Sequence, residues 1–297
     1  MKEVLDRCML CPRNCMVNRN NGEIGFCGVS DKIKIAKAYL HMWEEPCISG
    51  EKGSGTIFFS NCNLKCIFCQ NYYISEFNNG VEISVEKFSE ICLDLQDRGA
   101  NNINLVTPTH FVPLIIDGLR LAKSRGLIIP IVYNSSGYEN VHTIKMLDGV
   151  VDVYLPDFKY FSDEYALKYS GCKDYFYHAS RAIDEMFSQK GECVFDDDGI
   201  ITSGVIVRHL LLPGIEKDSK KILKYLYDKY GDKIYISIMN QYTPVRKCRY
   251  DELNNRVDES VYDEVVDYAW DIGIRSAFIQ DGESQSECFI PKFDFEG

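Results

Sequence analysis

Basic charge, long apolar runs and internal repeats are all scarce in this chain of 297 residues. Lys and Arg number 33 against 44 Asp and Glu, a formal net charge of −11. Neutralising phosphates takes a basic surface, so broad nucleic-acid binding is not expected, although a local basic groove would still fit. No apolar run approaches the ~18 residues that a membrane span requires. The opening Met1-Lys2-Glu3-Val4-Leu5-Asp6-Arg7 lacks the apolar core of a signal peptide, so a cytoplasmic protein without a membrane partner is expected. Low-complexity segments and long linkers are missing too. What remains is a chain with 45% apolar residues, enough to bury one large domain with a small appendage.

Cysteine is the residue present in excess. There are 13, in a chain too long and too rich in core residues for a disulfide scaffold. Seven fall in two clusters, where metal binding is the commoner use in a reducing compartment. The six isolated ones, Cys47, Cys92, Cys172, Cys193, Cys248 and Cys288, read mostly as small buried hydrophobes.

The first cluster occupies the N-terminal stretch. Cys8-x-x-Cys11-Pro12-x-x-Cys15 and then Gly25-Phe26-Cys27-Gly28 place four thiols among turn residues with little helical pattern. So short a module has too few apolar residues to hold itself together, which makes a metal staple physically sensible. Four thiolates suit structural zinc and suit an auxiliary iron–sulfur cluster equally.

The second cluster organises the chain. Cys62-x-x-x-Cys66-x-x-Cys69 follows the strand-like Gly55-Thr56-Ile57-Phe58-Phe59 directly. Iron–sulfur clusters are held by thiolates, normally four. Three at this spacing can bind three irons of a [4Fe-4S] cube and leave one iron open to chelate a substrate or cosubstrate. Zinc sites usually present four ligands as Cys-x-x-Cys pairs, and this loop has no natural fourth.

From there, helices and strands alternate. Helical patterns cover Val85–Arg98, Val112–Ser124, Val141–Leu147, Asp163–Gln189 with a break near Gly171, Ser219–Lys229 and Glu259–Ile272. Apolar strands cover Ile103–Val106, Leu127–Tyr133, Val151–Leu155, Gly204–Leu212, Lys233–Ile238 and Ile274–Ile279, with a turn at Asp196-Asp197-Asp198-Gly199. Near-continuous apolar strands separated by helices are the pattern of a parallel sheet of βα units. An earlier strand, Ile33–Leu40, alternates; His41 and Glu44 just after it are expected in an ordinary packing or surface role, with a place facing the active site as the alternative. In parallel barrels the chemistry sits at the carboxyl ends of the strands. Those ends read Thr107-Pro108-Thr109-His110, Asn134-Ser135-Ser136-Gly137, Pro156-Asp157-Phe158-Lys159 and Met239-Asn240-Gln241-Tyr242-Thr243-Pro244. Arg208 lies within an apolar strand and needs an anionic partner, because an unpaired buried charge is costly.

The three-cysteine spacing, with the aromatic Phe68 before its last cysteine, resembles the signature of the radical S-adenosylmethionine (SAM) superfamily. The resemblance runs from about Gly53 to Gln280. It implies an α/β fold, a partial (β/α)6 barrel of radical SAM type, over residues 53–297, with residues 1–52 as a cysteine-rich metal-binding appendage. It implies a [4Fe-4S] cluster on Cys62, Cys66 and Cys69. The open iron would bind the amino and carboxylate groups of SAM, and reductive cleavage would yield a hydrogen-abstracting 5′-deoxyadenosyl radical.

The Asn134–Gly137 turn, the Asp157-x-Lys159 pair and the Arg208-x-x-x-x-Pro213-Gly214 arrangement resemble those of the pyruvate formate-lyase activating enzyme and its relatives. SAM contacts are thereby implied for Phe68, Asn134, Ser135, Ser136, Asp157, Lys159 and Arg208. Thr107, Thr109 and His110 stand where such domains often carry a Gly-Gly-Glu-like motif for the SAM amino group; this chain departs from that motif. His110 could equally face substrate or cap a helix. The N-terminal cysteines are similar to those of an activating-enzyme-like group often encoded in anaerobes. A protein or peptide substrate is implied, such as a glycyl radical enzyme, together with an electron donor such as flavodoxin or ferredoxin. A small molecule or nucleoside substrate is the alternative, and a non-catalytic metal-binding adaptor a remote one. Cys248 reads as an idle thiol, with hydrogen-atom donation as the other option.

Overall fold

A computed structural model of the chain describes residues 2–280 together with 291 and 293; Cys288 and the other C-terminal residues of the second expected domain lie outside them. Among the described residues the strands are β1 (Ile33–His41), β2 (Ser54–Phe59), β3 (Val81–Ile83), β4 (Ile103–Val106), β5 (Ile131–Ser135), β6 (Val153–Pro156), β7 (Val194–Phe195), β8 (Ile201–Leu210), β9 (Tyr235–Met239) and β10 (Ala277–Ile279). The helices are α1 (Pro46–Ser49), α2 (Tyr72–Ser75), α3 (Val85–Asp97), α4 (Val112–Ser124), α5 (Val141–Met146), α6 (Asp163–Ser170), α7 (Tyr175–Lys190), α8 (Glu216–Tyr230) and α9 (Glu259–Asp271).

The strands lie in the order β10-β9-β8-β6-β5-β4-β2-β1-β3, with β7 as a hairpin partner of β8. Every neighbouring pair from β2 through β10 in that path is parallel. The path does not close on itself, so the α/β fold is a partial barrel with an open side. Helices cover the outside. Along β2 the side chains alternate: Phe59 packs against Phe88 of α3 and against Phe111, whereas Phe58 turns inward to stack on Tyr39.

Most expected elements are present, and the differences have local causes. The strand expected at Leu127–Tyr133 begins only at Ile131, because Pro130 has no N–H for a ladder and Ile128 is exposed. The helical stretch Asp163–Gln189 breaks where Gly171 turns left-handed at φ 53° and caps α6. β3 was not expected; it is three residues long and pairs with the outer edge of β1. The first fifty residues contribute two things. Residues 2–30 form an irregular module with two short 3-10 turns, and β1 then lies antiparallel along β2, with His41 opposite Ser54.

Candidate active site

The loop after β2 presents the three thiols. Asn61 (φ 70°) and Lys65 (φ 54°) both take left-handed backbone, a conformation that surrounding contacts must hold. Asn61 does so through its N–H to the Ile74 carbonyl at 2.6 Å and its side-chain amide to the Cys27 carbonyl at 2.7 Å. Each sulfur accepts a hydrogen bond. Leu64 N donates to Cys62 Sγ at 3.3 Å, Ser170 Oγ to Cys66 Sγ at 3.0 Å, and Ser75 Oγ to Cys69 Sγ at 3.5 Å. Burial nevertheless pushes all three thiols up, so thiolates there require cationic company. Lys159 supplies part of it, lowering each of them.

Opposite the thiols, β6 and β8 end in a ladder of charges. Lys159 Nζ donates to Asp157 Oδ2 at 2.6 Å, and Arg208 Nε to Asp157 Oδ1 at 3.0 Å. The rest of the Arg208 fork reaches Glu44 Oε2 at 3.2 Å and Asn134 Oδ1 at 2.6 Å. Burial works against ionisation of Asp157, but the two cations outweigh it and hold its carboxyl below the usual range. Burial likewise opposes the charge on Lys159, yet Asp157 keeps its ammonium above the ordinary lysine value. The turn after β5 is pressed against this ladder. Gly137 (φ 73°) passes so close that a Cβ there would stand 2.2 Å from the Asp157 carbonyl oxygen, which only glycine allows. The Tyr175 hydroxyl joins the two turns, bonded to the carbonyls of Ser136 (2.8 Å) and Asp157 (3.0 Å) while accepting Lys159 N–H.

Thiols and ladder face one cavity of 550 Å³. Phe68, Thr107, Asn134, Ser135, Ser136, Asp157, Lys159 and Arg208 all line it, as do Met239, Gln241, Tyr242 and Thr243 at the end of β9. Thr109 and His110 are not brought there. Thr107 turns left-handed (φ 60°) and sends the following 3-10 turn away from the cavity. Thr109 Oγ1 then donates to buried Glu139 at 2.6 Å, and His110 Nε2 donates to the Ser60 carbonyl at 2.9 Å. Burial lowers the His110 ring to about 3, so it is neutral. Cys248 is not in the lining; its backbone N–H and carbonyl are bonded to the Asn254 side chain.

Several contributors were not legible in advance. Glu44, for which packing or surface was expected, lines the cavity and pairs with Arg208. His41 is buried and packs its ring edge-on against Tyr39 and Phe58, and from there it also lines the cavity. Ser170, Tyr175 and Glu139 lie in or beside helices, with nothing in the local pattern to mark them. The hint for Glu44 was its position four residues past the alternating strand Ile33–Leu40.

Cys8, Cys11, Cys15 and Cys27 line a second, small cavity with Arg19 and His110. Among the described residues, no three His, Cys, Asp or Glu side chains converge as the ligands of a single metal ion would.

The donor set of the large cavity fits the groups that its loop implies. Three thiols with hydrogen-bonded sulfurs suit three irons, and Lys159 offers a cation beside them for a carboxylate. The cavity falls within the volume range of small-molecule sites.

The family model described as the Radical SAM superfamily matches residues 56–226. An uncharacterized protein of Methanocaldococcus jannaschii, MJ0674, is 30% identical over 275 residues, covering 89% of this chain and 73% of the relative. Among solved structures, HydG, a maturase of the [FeFe]-hydrogenase, superposes with a TM-score of 0.51 at 14% identity, over 74% of this chain and 49% of that one. This likeness concerns the fold. Streptococcus suis SuiB bound to S-adenosylmethionine is similar at a TM-score of 0.47 and 14% identity, over 75% of this chain. The chain spans 45% of the SuiB chain. Among the described residues, no helix is long and apolar enough to cross a membrane.

Proposed function

Because the chain belongs to the radical SAM superfamily, we propose that Cys62, Cys66 and Cys69 hold a [4Fe-4S] cluster whose fourth iron takes SAM, and that the enzyme acts on a protein or peptide. The observation that supports this is that three thiols and the Lys159–Asp157–Arg208 ladder face each other across one cavity. When bound, the cluster on these thiols and SAM would supply one-electron, hydrogen-abstracting chemistry, with methionine and 5′-deoxyadenosine as the products of the cosubstrate. The electron comes from a small reduced carrier of the flavodoxin or ferredoxin class.

The chain's own residues position the cosubstrate. Lys159, whose charge is secured by Asp157, offers its ammonium to the methionyl carboxylate. Asn134, Ser135 and Ser136 offer amide and hydroxyl groups to the ammonium and ribose, and Phe68 an aromatic wall. Arg208 is taken up by Asp157, Glu44 and Asn134, so it orders these acceptors and does not itself meet the carboxylate. Thr107 is the residue of its strand end placed to contribute. A polypeptide substrate is favoured by the rim, where Trp43 (65% exposed) and Met42 (42% exposed) border the opening and offer apolar contact. A backbone glycine of a glycyl radical enzyme would be one such target. The second reading, a small polar metabolite or nucleoside, is favoured by the inner wall, where Glu44 and His41 present polar groups. The N-terminal thiols are proposed to hold a further metal, zinc or a second cluster.

The test is anaerobic reconstitution followed by iron and sulfide analysis and a dithionite-driven assay for 5′-deoxyadenosine. The Cys62, Cys66, Cys69 triple alanine variant runs beside the wild type. Iron at about four per chain beyond that of the variant, with 5′-deoxyadenosine made by the wild type alone, is the expected result. Full iron with no SAM cleavage would overturn the proposal.

A further inference from the structure

The loop Cys11-Pro12-Arg13-Asn14-Cys15 sends one side chain out of the N-terminal module to the loop with the three thiols. Arg13 Nε donates to the Asn63 carbonyl at 3.0 Å, and Nη2 to the carbonyls of Leu64 (3.3 Å) and Ser170 (3.1 Å). Nη1 donates to the Gly171 carbonyl at 2.6 Å. One guanidinium thus gathers four carbonyls from two segments. Its position is fixed from behind by the Phe26 ring, with the ring centroid 3.8 Å from the guanidinium carbon.

The segments gathered are those that set two of the thiols. Asn63 and Leu64 lie between Cys62 and Cys66, and Ser170 is the residue whose hydroxyl donates to Cys66 Sγ. Two more bridges run the same way. Asn61 reaches the Cys27 carbonyl, and Arg19 Nη1 donates to the carbonyl of His110 at 2.6 Å, whose ring in turn holds the Ser60 carbonyl. The bridged loop contains Asn61 and Lys65 in left-handed backbone, which it would leave without outside support.

We infer that Arg13 is a positioning residue, through which the Cys8, Cys11, Cys15, Cys27 module sets the placement of Cys62 and Cys66. The inference rests on the proposed reading of those two thiols as cluster ligands. Arginine is needed for the role: its planar fork carries five N–H donors in fixed directions, whereas lysine has a single ammonium head that cannot reach four carbonyls in two segments.

The test compares wild type, R13A and R13K by amide hydrogen exchange of the cluster-free protein, read over residues 60–70 and 166–172 and over the remaining peptides. R13A should exchange roughly tenfold faster or more in those two segments, with R13K in between and the rest of the sheet unchanged. In the reconstituted, reduced proteins, the change that added SAM makes to the electron paramagnetic resonance spectrum of the wild type should be diminished in R13A. Unchanged exchange over 60–70 in both variants would overturn the inference, as would faster exchange spread evenly over all peptides, the mark of general destabilisation. A wild type that binds no iron would refute the ligand reading instead, and with it any positioning role toward a cluster.

Discussion

Arg208 Nε donates to Asp157 Oδ1 at 3.0 Å across adjacent parallel strands, at a bridge that extends the β6–β8 pairing past the end of β6. The pair is largely buried, with 15% of each side chain exposed. Removing one partner of such a pair leaves an uncompensated charge, which costs roughly 3–5 kcal/mol. D157N is therefore expected to lose about 3 kcal/mol in reversible urea unfolding, with Arg208 left to Glu44. An R208M/D157L double variant should lose at least as much, because it strips Glu44 and Lys159 of their partners in the same buried ladder. A D157N variant as stable as wild type would contradict this account.

Among the described residues Lys159 pairs with Asp157, and its charge favours thiolate at all three cysteines lining the same cavity. A charge-assisted hydrogen bond to an anion contributes about 1.5–3 kcal/mol. K159M should therefore weaken SAM binding about 10- to 100-fold, measured by anaerobic calorimetry on reconstituted protein whose iron content matches wild type. R208K should weaken it by a smaller factor, since Arg208 acts through Asp157 and Asn134.

Glu139 is buried behind the site beside Thr109, Tyr133 and Ser135, and burial pushes its carboxyl up to about 8. The sign of its effect follows. Between roughly pH 4 and 8 the folded chain keeps a proton that the unfolded chain has released, so on this account stability falls as pH rises. E139Q removes that proton exchange. Its melting temperature should approach that of wild type near pH 4 and exceed it increasingly toward pH 8, a gain on the order of a few kcal/mol. A gap that does not change with pH would refute the assignment.

The N-terminal thiols can be read separately from the first loop. The variant lacking Cys62, Cys66 and Cys69 is expected to keep one metal centre, and adding C11S to remove it. Iron with matching sulfide would identify a second cluster, and one zinc per chain a structural site. A metal-free triple variant would mean that these four cysteines are free thiols.

The βα succession, the three-thiol loop and the strand ends where polar residues gather are all legible along the chain. Each of these is written in local pattern: apolar runs of strand length, helical periodicity, and cysteines within eight residues of one another. Asp157 and Lys159 were legible because they close an apolar strand, a place where charge is expensive unless used. Tertiary structure decided which of those strand-end groups meet. Thr109 and His110 lie two and three residues past Thr107, yet one left-handed residue carries both out of the cavity lining. Glu44 enters the cavity because β1 pairs antiparallel with β2 and delivers its end beside Arg208, 164 residues away in the chain. Arg13 and Ser170, 157 residues apart in the chain, meet each other and the cluster loop. Such contacts depend on strand pairing and backbone reversals between distant segments, and residue type and spacing along the chain carry no record of them.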